Sequence, residues 1–508
     1  MRLPFPERVP LTPVIIAALV LGTIQVAEGT APLFSLCSSL FIVVTAIAFN
    51  VAGGLSRPSG SYIFFFAFLA VIIGLTWKAV LGEPADSNLQ QPILTIEVYL
   101  GSMCGLLVAA FVSRRLTPKR GLLAGFVTDA NMQSATFGCL VTGLFLIFLL
   151  SVVPVEPGGI LSALTQLNRF LLLTVFLGTI HTIRRSGGIR SISIPVLIAG
   201  GVSFVSGLAG FSKEGIITPF LCWLIAAASQ RYKMSRGQLV GAVFVTVFIF
   251  RYLVPYAQFG RDYGGDSFQS RTDIVIFLLS HLGTVRSEYL VNQQYASDEV
   301  DDLVRGYFNT HQGFFDRLQM IGPDDGLNSL TEQGVVPGIT PVYLYFGSLV
   351  PHFIWKDKIN WGGGNLYAHQ MGILAEDDDS TGISFSPAGE AYHLMRWEGV
   401  FLLAPVLWIM LFTIFDSLCG DTRRSAWGLL IIVSFAHVAP EGGLGILIYL
   451  MGYGTATLLF AACTVTYVMP ILGELIIGPS RRSVRFRDPL RINRTIAAAN
   501  VDSQTSTL

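Results

Sequence analysis

Apolar runs of about 20 residues recur along almost the entire chain, and a run of this length spans the roughly 30 Å hydrocarbon core of a bilayer as a helix. We place these runs at positions 11–29, 33–53, 61–81, 95–113, 134–154, 160–182, 192–211, 214–229, 237–257, 397–417, 425–440 and 444–472. A helix satisfies its own backbone hydrogen bonds, as an isolated segment in lipid must. The pattern therefore predicts an all-α polytopic membrane protein with about twelve transmembrane helices.

One long polar segment interrupts this series and divides the chain. The predicted divisions are an N-terminal membrane bundle of about nine spans (1–257), the long loop (258–396), the C-terminal membrane spans (397–478) and a basic, disordered tail (479–508). Within the loop, apolar stretches at 272–282 and 335–355 predict helices that lie on the membrane face or enter it. A connector of this length is expected to fold and to carry function.

The distribution of basic residues predicts the orientation, since Lys and Arg concentrate in cytoplasmic loops. Most of the 33 Lys and Arg residues lie near the two termini and in alternate loops, such as 114–120 and 184–190. The short loops on the other side carry almost none, and residues 82–86 are acidic. We therefore expect both termini in the cytoplasm and the long loop outside. The first span lacks an A-x-A cleavage site and is interpreted as an uncleaved anchor.

The composition supports a membrane protein and argues against other classes of protein. The chain is 52% apolar and 13% charged, against roughly 25% charged residues in soluble proteins. Its formal net charge is zero, so no basic surface indicates a nucleic-acid partner. The six cysteines fall in or beside the predicted spans and form no recognisable disulfide or metal-binding pattern.

Candidate chemistry concentrates in the long loop and at the adjoining span ends. Lys213 and Glu214 occupy a very short hairpin between two predicted spans, where a helix N-terminus beside a cation suits an anion. A plain surface pair remains the alternative. Arg251 lies in an apolar run, where a cation is costly unless it lines a cavity or reaches the interface.

Three acidic clusters lie in the loop, at 298–302, 324–325 and 376–379. Carboxylates of this kind could bind a divalent cation. None has the spacing of a known calcium loop, so we expect solvated acidic turns and no metal or other cofactor.

Several motifs, in order, resemble those of a known family. The hairpin with one cation, Ser212-Lys213-Glu214-Gly215, is followed by a Pro-x-Phe-hydrophobic-Trp-x-x-Lys box at 351–358. Gly389-Glu390-Ala391-Tyr392 then precedes Gly399 at the start of a span. Over roughly 200–420 the chain resembles the bacterial O-antigen and exopolysaccharide repeat-unit polymerases of the Wzy class, relatives of the O-antigen ligases. It departs from their pattern at Lys213 and His352, where arginine is common.

The resemblance implies a GT-C-like, inverting glycosyltransferase of the bacterial cytoplasmic membrane that uses no nucleotide sugar. Such an enzyme moves a growing glycan from undecaprenyl diphosphate to a second lipid-linked oligosaccharide, often beside a chain-length regulator. The acceptor hydroxyl needs a base, and the leaving diphosphate needs cations. The candidate bases are Glu390 and His352. The candidate diphosphate ligands are Lys213, Arg251, Arg261, Arg271, Lys356 and Arg396. The candidate glycan contacts are Trp355, Tyr392, His393 and Glu398.

Three alternatives stay open. A ligase would move finished glycan onto lipid A core or a protein, and ligases more often show His-Asn-x-Tyr where this chain has Gly389-Glu390-Ala391-Tyr392. A transporter or flippase of lipid-linked sugars would hold ionisable groups along a central path between spans. A non-catalytic scaffold for an assembly complex is the third.

Overall fold

The computed structural model describes residues 2–153, 168–262, 268–298, 306–313, 315–350, 354–355, 363–374, 378 and 383–478. Every regular element in these ranges is a helix, and the one extended pairing among them is an isolated bridge between Arg2 and Lys233. The all-α prediction is confirmed for the part of the chain that the structure describes.

The α-helices up to position 262 form the N-terminal bundle. They are α1 (Leu11–Ala27), α2 (Pro32–Ala52), α3 (Pro58–Ala67), α4 (Ile73–Leu81), α5 (Pro92–Leu116), α6 (Met132–Val152), α7 (Phe170–Arg185), α8 (Ile194–Ala209), α9 (Lys213–Ser229), α10 (Arg236–Phe248) and α11 (Val254–Asp262). Short π-helical segments, Phe68–Ile72 and Ile249–Leu253, connect α3 to α4 and α10 to α11.

The remaining α-helices follow the bundle. They are α12 (Phe268–Ser280), α13 (Leu282–Asp298), α14 (Ile321–Glu332), α15 (Thr340–Ser348), α16 (Gly363–Gln370), α17 (Pro387–Glu398), α18 (Ala404–Cys419), α19 (Ala426–Glu441), α20 (Gly443–Tyr449), α21 (Thr455–Tyr467) and α22 (Met469–Ile477). Two further π-helical segments, Gly399–Leu403 and Leu450–Gly454, join α17 to α18 and α20 to α21. One 3₁₀ turn, Phe315–Arg317, precedes α14.

Several of these helices are long and apolar enough to cross a membrane. Among the described residues they are Pro32–Ser56, Pro58–Leu81, Pro92–Leu116, Met132–Leu150, Arg236–Arg261, Pro387–Cys419 and Gly443–Ile477. Each corresponds to one of the predicted spans, so the protein is a polytopic membrane protein. A further pair, Thr272–Ser280 and Leu282–Asn292, passes the same test but is bent by 87°.

Within the described residues, seven helices are long and apolar enough to span a membrane, or eight if the bent pair is one span, against the twelve spans predicted. Three predicted spans form shorter apolar helices, α1, α8 and α19, of 17, 16 and 16 residues. Helix α9 has 17 residues and contains Pro219. The prediction at 160–182 falls partly outside the described residues. The span expected at 397 follows a kink at Met395 and Arg396, and the helical turns before this kink begin at Pro387, where Ser386 caps the helix and proline suits its first turn.

Local sequence explains where the helices begin. Proline occupies the first turn of α2, α3, α5 and α17, where its missing N–H costs nothing. Ser212 caps α9 by accepting a hydrogen bond from the Gly215 amide at 3.0 Å. Ser235 and Gln238 form a reciprocal capping box at the start of α10.

The core of the bundle is aromatic. Trp408 on α18 is fully buried and donates its indole N–H to the Tyr62 hydroxyl at 3.1 Å, so its polar atom is satisfied. Tyr62 also contacts Phe412 and Phe435 edge-on, at centroid distances of 5.5 and 5.2 Å. These contacts join α3, α18 and α19 in the centre of the molecule.

Close backbone approach holds α6 against α22. A Cβ atom at Gly138 would overlap the carbonyl of Met469, and one at Gly473 would overlap the carbonyl of Ser134. Each helix thus presents a glycine to the backbone of the other. In a membrane, where helices gain little from hydrophobic burial against each other, small residues of this kind drive packing.

We predict that Gly138→Ala and Gly473→Ala each lower the stability by about 1–3 kcal/mol, because the added methyl forces the two backbones apart. Gly201→Ala on α8 is the matched control, since no heavy atom lies within 4 Å of the added Cβ. Apparent melting temperatures in detergent measure the effect. Equal melting temperatures for all three variants would contradict this account of the packing.

Candidate functional site

A layer of polar helices lies over one end of the bundle. We use the name polar layer for α14, α15, α16 and the part of α17 before its kink, residues 387–394. Helices α14 and α17 pack on each other and on α5, while α15 and α17 also contact α20. The loop stretches at 272–282 and 335–355 were predicted to be helical, and α12 and α15 confirm this.

Glu390 lies at the centre of the polar layer and is only 3% exposed. One oxygen, Oε1, accepts hydrogen bonds from the hydroxyls of Tyr345 and of Tyr367, the latter at 3.2 Å. The other, Oε2, accepts from the backbone amide of Leu444. Both oxygens are therefore occupied, and the carboxylate connects α15, α16, α17 and α20.

Asp324 forms a second buried carboxylate, beside the first turn of α17. Its Oδ2 accepts from the Tyr99 hydroxyl at 2.5 Å and from the Ser386 hydroxyl, while Oδ1 accepts from the Ser386 amide at 3.0 Å. Burial raises the pKa of Asp324 to about 7, and the hydrogen bonds from Ser386 and Tyr99 oppose that rise. A Cβ at Gly389 would overlap this carboxylate, which explains the glycine of the Gly-Glu-x-Tyr motif.

Asp325 ties the polar layer to the start of α5. Its carboxylate accepts from the backbone amides of Gln90 and Gln91, at 2.5 and 2.9 Å. The Thr95 hydroxyl donates to it as well, at 2.9 Å. Burial raises the pKa of Asp325 from its usual value. The expectation of a solvated acidic turn at 324–325 is thus wrong, because Asp324 and Asp325 are 0% and 3% exposed and serve as acceptors inside the protein.

His393 carries a free lone pair within the polar layer. Thr331 donates its hydroxyl to the Leu327 carbonyl at 2.8 Å, so it accepts from Nδ1–H of His393 at 2.9 Å. This tautomer leaves Nε2 as an acceptor. Nε2 is fully buried and finds no hydrogen-bond partner among the described residues. The ring also meets Tyr367 edge-on at 4.8 Å.

A backbone kink separates the polar layer from the membrane span that follows. Arg396 has a left-handed φ of 50°, which is unusual for a residue with a side chain. Its Nη2 donates to the Thr331 carbonyl at 3.3 Å. Just before the kink, Tyr392 donates its hydroxyl to Glu332 at 2.7 Å and packs on Trp397 at 5.4 Å.

A cluster of three cations lies at the hairpin between α8 and α9. Lys213 donates to the Gln258 side chain at 2.6 Å, and Arg261 donates to the Phe211 carbonyl at 3.1 Å. Burial, together with smaller contributions from the charges of Arg317 and Arg261, lowers the pKa of Lys213 to about 7. We call Lys213, Arg261 and Arg317 the hairpin cluster. None of the three forms an ion pair within the described part of the chain.

The hairpin cluster and Glu390 lie at the same end of the bundle. Glu214, next to Lys213, interacts electrostatically with His437 near the end of α19. His437 also pairs with Glu441 at 2.7 Å. Helix α20 begins at Gly443, and the amide of its second residue, Leu444, donates to Glu390. A cavity of about 350 Å³ opens beside the hairpin, lined in part by Arg169, Ser206, Glu214 and Thr218.

The structure brings together some of the predicted site residues and not others. Lys213 and Arg261 join the hairpin cluster, while Glu390, Tyr392 and His393 lie in the polar layer. Three candidates are exposed elsewhere on the described surface: Arg251, Trp355 and Glu398. His352, Lys356 and the side chain of Arg271 lie outside the described residues.

Sequence reasoning missed several members of the site. Arg317 joins the hairpin cluster, and Tyr99, Tyr345 and Tyr367 supply hydroxyl donors to the two buried carboxylates. A usable signal was the pair of tyrosines at 343 and 345 inside an otherwise apolar helix. Among the described residues, no group of three His, Cys, Asp or Glu side chains is placed to hold a metal ion.

No protein-family model, curated protein or solved structure matches this chain. The resemblance to the polysaccharide polymerases therefore depends on the motifs in the sequence.

We predict that Glu390→Ala destabilises the protein by about 2–4 kcal/mol, since it leaves two buried hydroxyls and a backbone amide without their acceptor. The control is Glu398→Ala on the same helix, where the side chain is exposed and the change should stay within about 0.5 kcal/mol. Thermal unfolding in detergent distinguishes the two. If both variants had the melting temperature of the wild type, Glu390 would not organise the polar layer.

The raised pKa of Asp324 predicts a pH dependence of stability. The pKa of an aspartate in the unfolded chain is near 4, and that of Asp324 in the folded protein is about 7. Between these two pH values, the folded protein holds the proton and the unfolded chain releases it. Stability should therefore fall as the pH rises through this window. Asp324→Asn should flatten the fall in melting temperature between pH 5 and pH 7.5. A variant with the same slope as wild type would refute the assignment.

Proposed function

We propose that the protein polymerises lipid-linked oligosaccharide repeat units on the outer face of the bacterial cytoplasmic membrane. It would transfer the growing glycan from undecaprenyl diphosphate to a second lipid-linked unit, as an inverting GT-C-like glycosyltransferase with about twelve spans. In this proposal both termini are cytoplasmic, and the polar layer and the hairpin cluster face outward.

The hairpin cluster is the observation that carries the proposal. The charges of Arg261 and Arg317 both act on Lys213 at the end of membrane helices, and none of the three has a carboxylate partner in the described structure. A lipid diphosphate bears its charge at the same depth, at the head of a chain that lies in the bilayer. Bound diphosphate would stabilise the ammonium form of Lys213 and offset the repulsion among the three cations.

The reaction needs a proton acceptor for the attacking hydroxyl. In the proposal that hydroxyl attacks the anomeric carbon, the bond from this carbon to the diphosphate oxygen breaks, and the hydroxyl proton passes to a base. His393 offers an unshared lone pair at Nε2, whereas both oxygens of Glu390 already accept hydrogen bonds. We therefore assign the base to His393, which the acceptor hydroxyl would reach once the polar layer opens around the buried Nε2, and a positioning role to Glu390. Undecaprenyl diphosphate leaves with its new charge held by the hairpin cluster.

The other expected partners remain part of the proposal. The exposed indoles of Trp355 and Trp397 suit a glycan, which stacks on such rings through its apolar faces. Tyr392 is buried and would act by supporting the ring of Trp397. A chain-length regulator would act from the membrane beside the enzyme. A transporter is less well supported, because the buried ionisable groups of the polar layer lie at one end of the bundle and not along a path through it.

The test is polymerisation by the full-length protein in liposomes with an undecaprenyl-diphosphate-linked repeat unit, read as a glycan ladder on gels. We expect Lys213→Ala to lower the rate by roughly 100- to 1000-fold, the loss typical when a preorganised charge-stabilising group is removed. Lys213→Arg should keep most of the activity, since arginine also binds diphosphate.

Lys119→Ala is the control, because Lys119 is an exposed cation in another loop. The control should polymerise as the wild type does. Full activity in Lys213→Ala would contradict the assignment of the hairpin cluster. Transfer of preformed glycan to lipid A core, without a ladder, would replace the polymerase with a ligase.

A further inference from the structure

A large cavity lies between α6, α7 and α8, near the loops 117–131 and 186–193. Its volume is about 910 Å³, and its lining includes Gln133, Thr136, Arg185, Arg190, Ile194 and Leu197. Part of this lining is polar and part is aliphatic. The cavity therefore suits a ligand that has both a polar and an apolar part.

Two arginines give the polar part of the cavity a positive charge. The neighbouring Arg184 is neutralised by Asp129, at 2.6 Å. Arg185 and Arg190 form no ion pair with any described residue, and Arg185 reaches only the neutral amide oxygen of Gln133, at 3.4 Å. The cavity therefore has two uncompensated cations and suits an anion.

The apolar part of the lining is unusually open. Ile189, Ile194 and Leu197 are 79%, 75% and 67% exposed. Ile194 and Leu197 begin α8, inside the span predicted at 192–211, where lipid and not water is expected to surround the helix. Acyl chains would cover them, and a free phosphate would not. In the loop before α8, the apolar side chain of Ile189 is next to the cationic Arg190. Apolar surface and positive charge thus occur together at the end of the helix.

We propose that this cavity binds one anionic glycerophospholipid, with its phosphate between Arg185 and Arg190 and its acyl chains along Ile194 and Leu197. Anionic headgroups favour basic residues near the ends of membrane helices. A zwitterionic lipid would bring its ammonium group close to the two arginines without a carboxylate to receive it. The lipid would fix α8, and with it the hairpin that α8 leads into, although this inference does not depend on the proposed function.

Native mass spectrometry of the full-length protein tests the proposal. The protein would be equilibrated with equal amounts of phosphatidylglycerol and phosphatidylcholine in detergent. We expect wild type to retain one phosphatidylglycerol with roughly 25-fold preference, and Arg185→Gln/Arg190→Gln to lose that preference, since each basic residue near a membrane surface contributes about a factor of five.

The matched control is Lys233→Gln/Arg236→Gln, which removes two exposed cations near the start of α10. It should keep the preference of the wild type. An equal loss in both double variants would show diffuse attraction and overturn the site. Equal retention of both lipids by the wild type would also overturn the site. Displacement of the lipid by an equal concentration of glycerol 3-phosphate would also overturn it, in favour of a soluble phosphate ligand.

Discussion

The carboxylate of Glu390 is the point at which α15, α16, α17 and α20 meet. A buried carboxylate is tolerated only where donors surround it, and these four helices supply the donors or the carboxylate itself. Their positions are therefore mutually dependent. Asp324 and Asp325 repeat the arrangement toward α5, so that the polar layer is attached to the membrane bundle through hydrogen bonds to three acidic side chains.

This arrangement gives the two parts of the site different physical properties. The polar layer is acidic and buried. Among the buried side-chain acceptors of α14 and α17, Nε2 of His393 and Oδ1 of Asn328 have no hydrogen-bond partner in the described structure. The hairpin cluster is cationic and partly exposed. Helix α19 connects them, since its last turn approaches Glu214 and leads into α20. A leaving group bound at the hairpin and a proton acceptor in the polar layer would thus be held by one set of helices.

The sequence predicts the helices better than it predicts the site. Apolar runs mark seven spans because hydropathy is a local property. Glu390 could be identified because its motif is local as well. Asp324 and Asp325 could not, since Gly322-Pro323-Asp324-Asp325-Gly326 reads as a surface turn and the partners that bury them, such as Tyr99 and Thr95, lie more than 200 positions away. The charge of Arg317 acts on Lys213 although the two residues are also far apart in the sequence.

The most direct test of the account is a cryo-electron microscopy structure of the protein, bound to an antibody fragment, with a short polyprenyl diphosphate. We predict density for the diphosphate within hydrogen-bonding distance of Lys213, Arg261 and Arg317, with the prenyl chain in the bilayer. Diphosphate density at any other site, with the hairpin cluster empty, would contradict it.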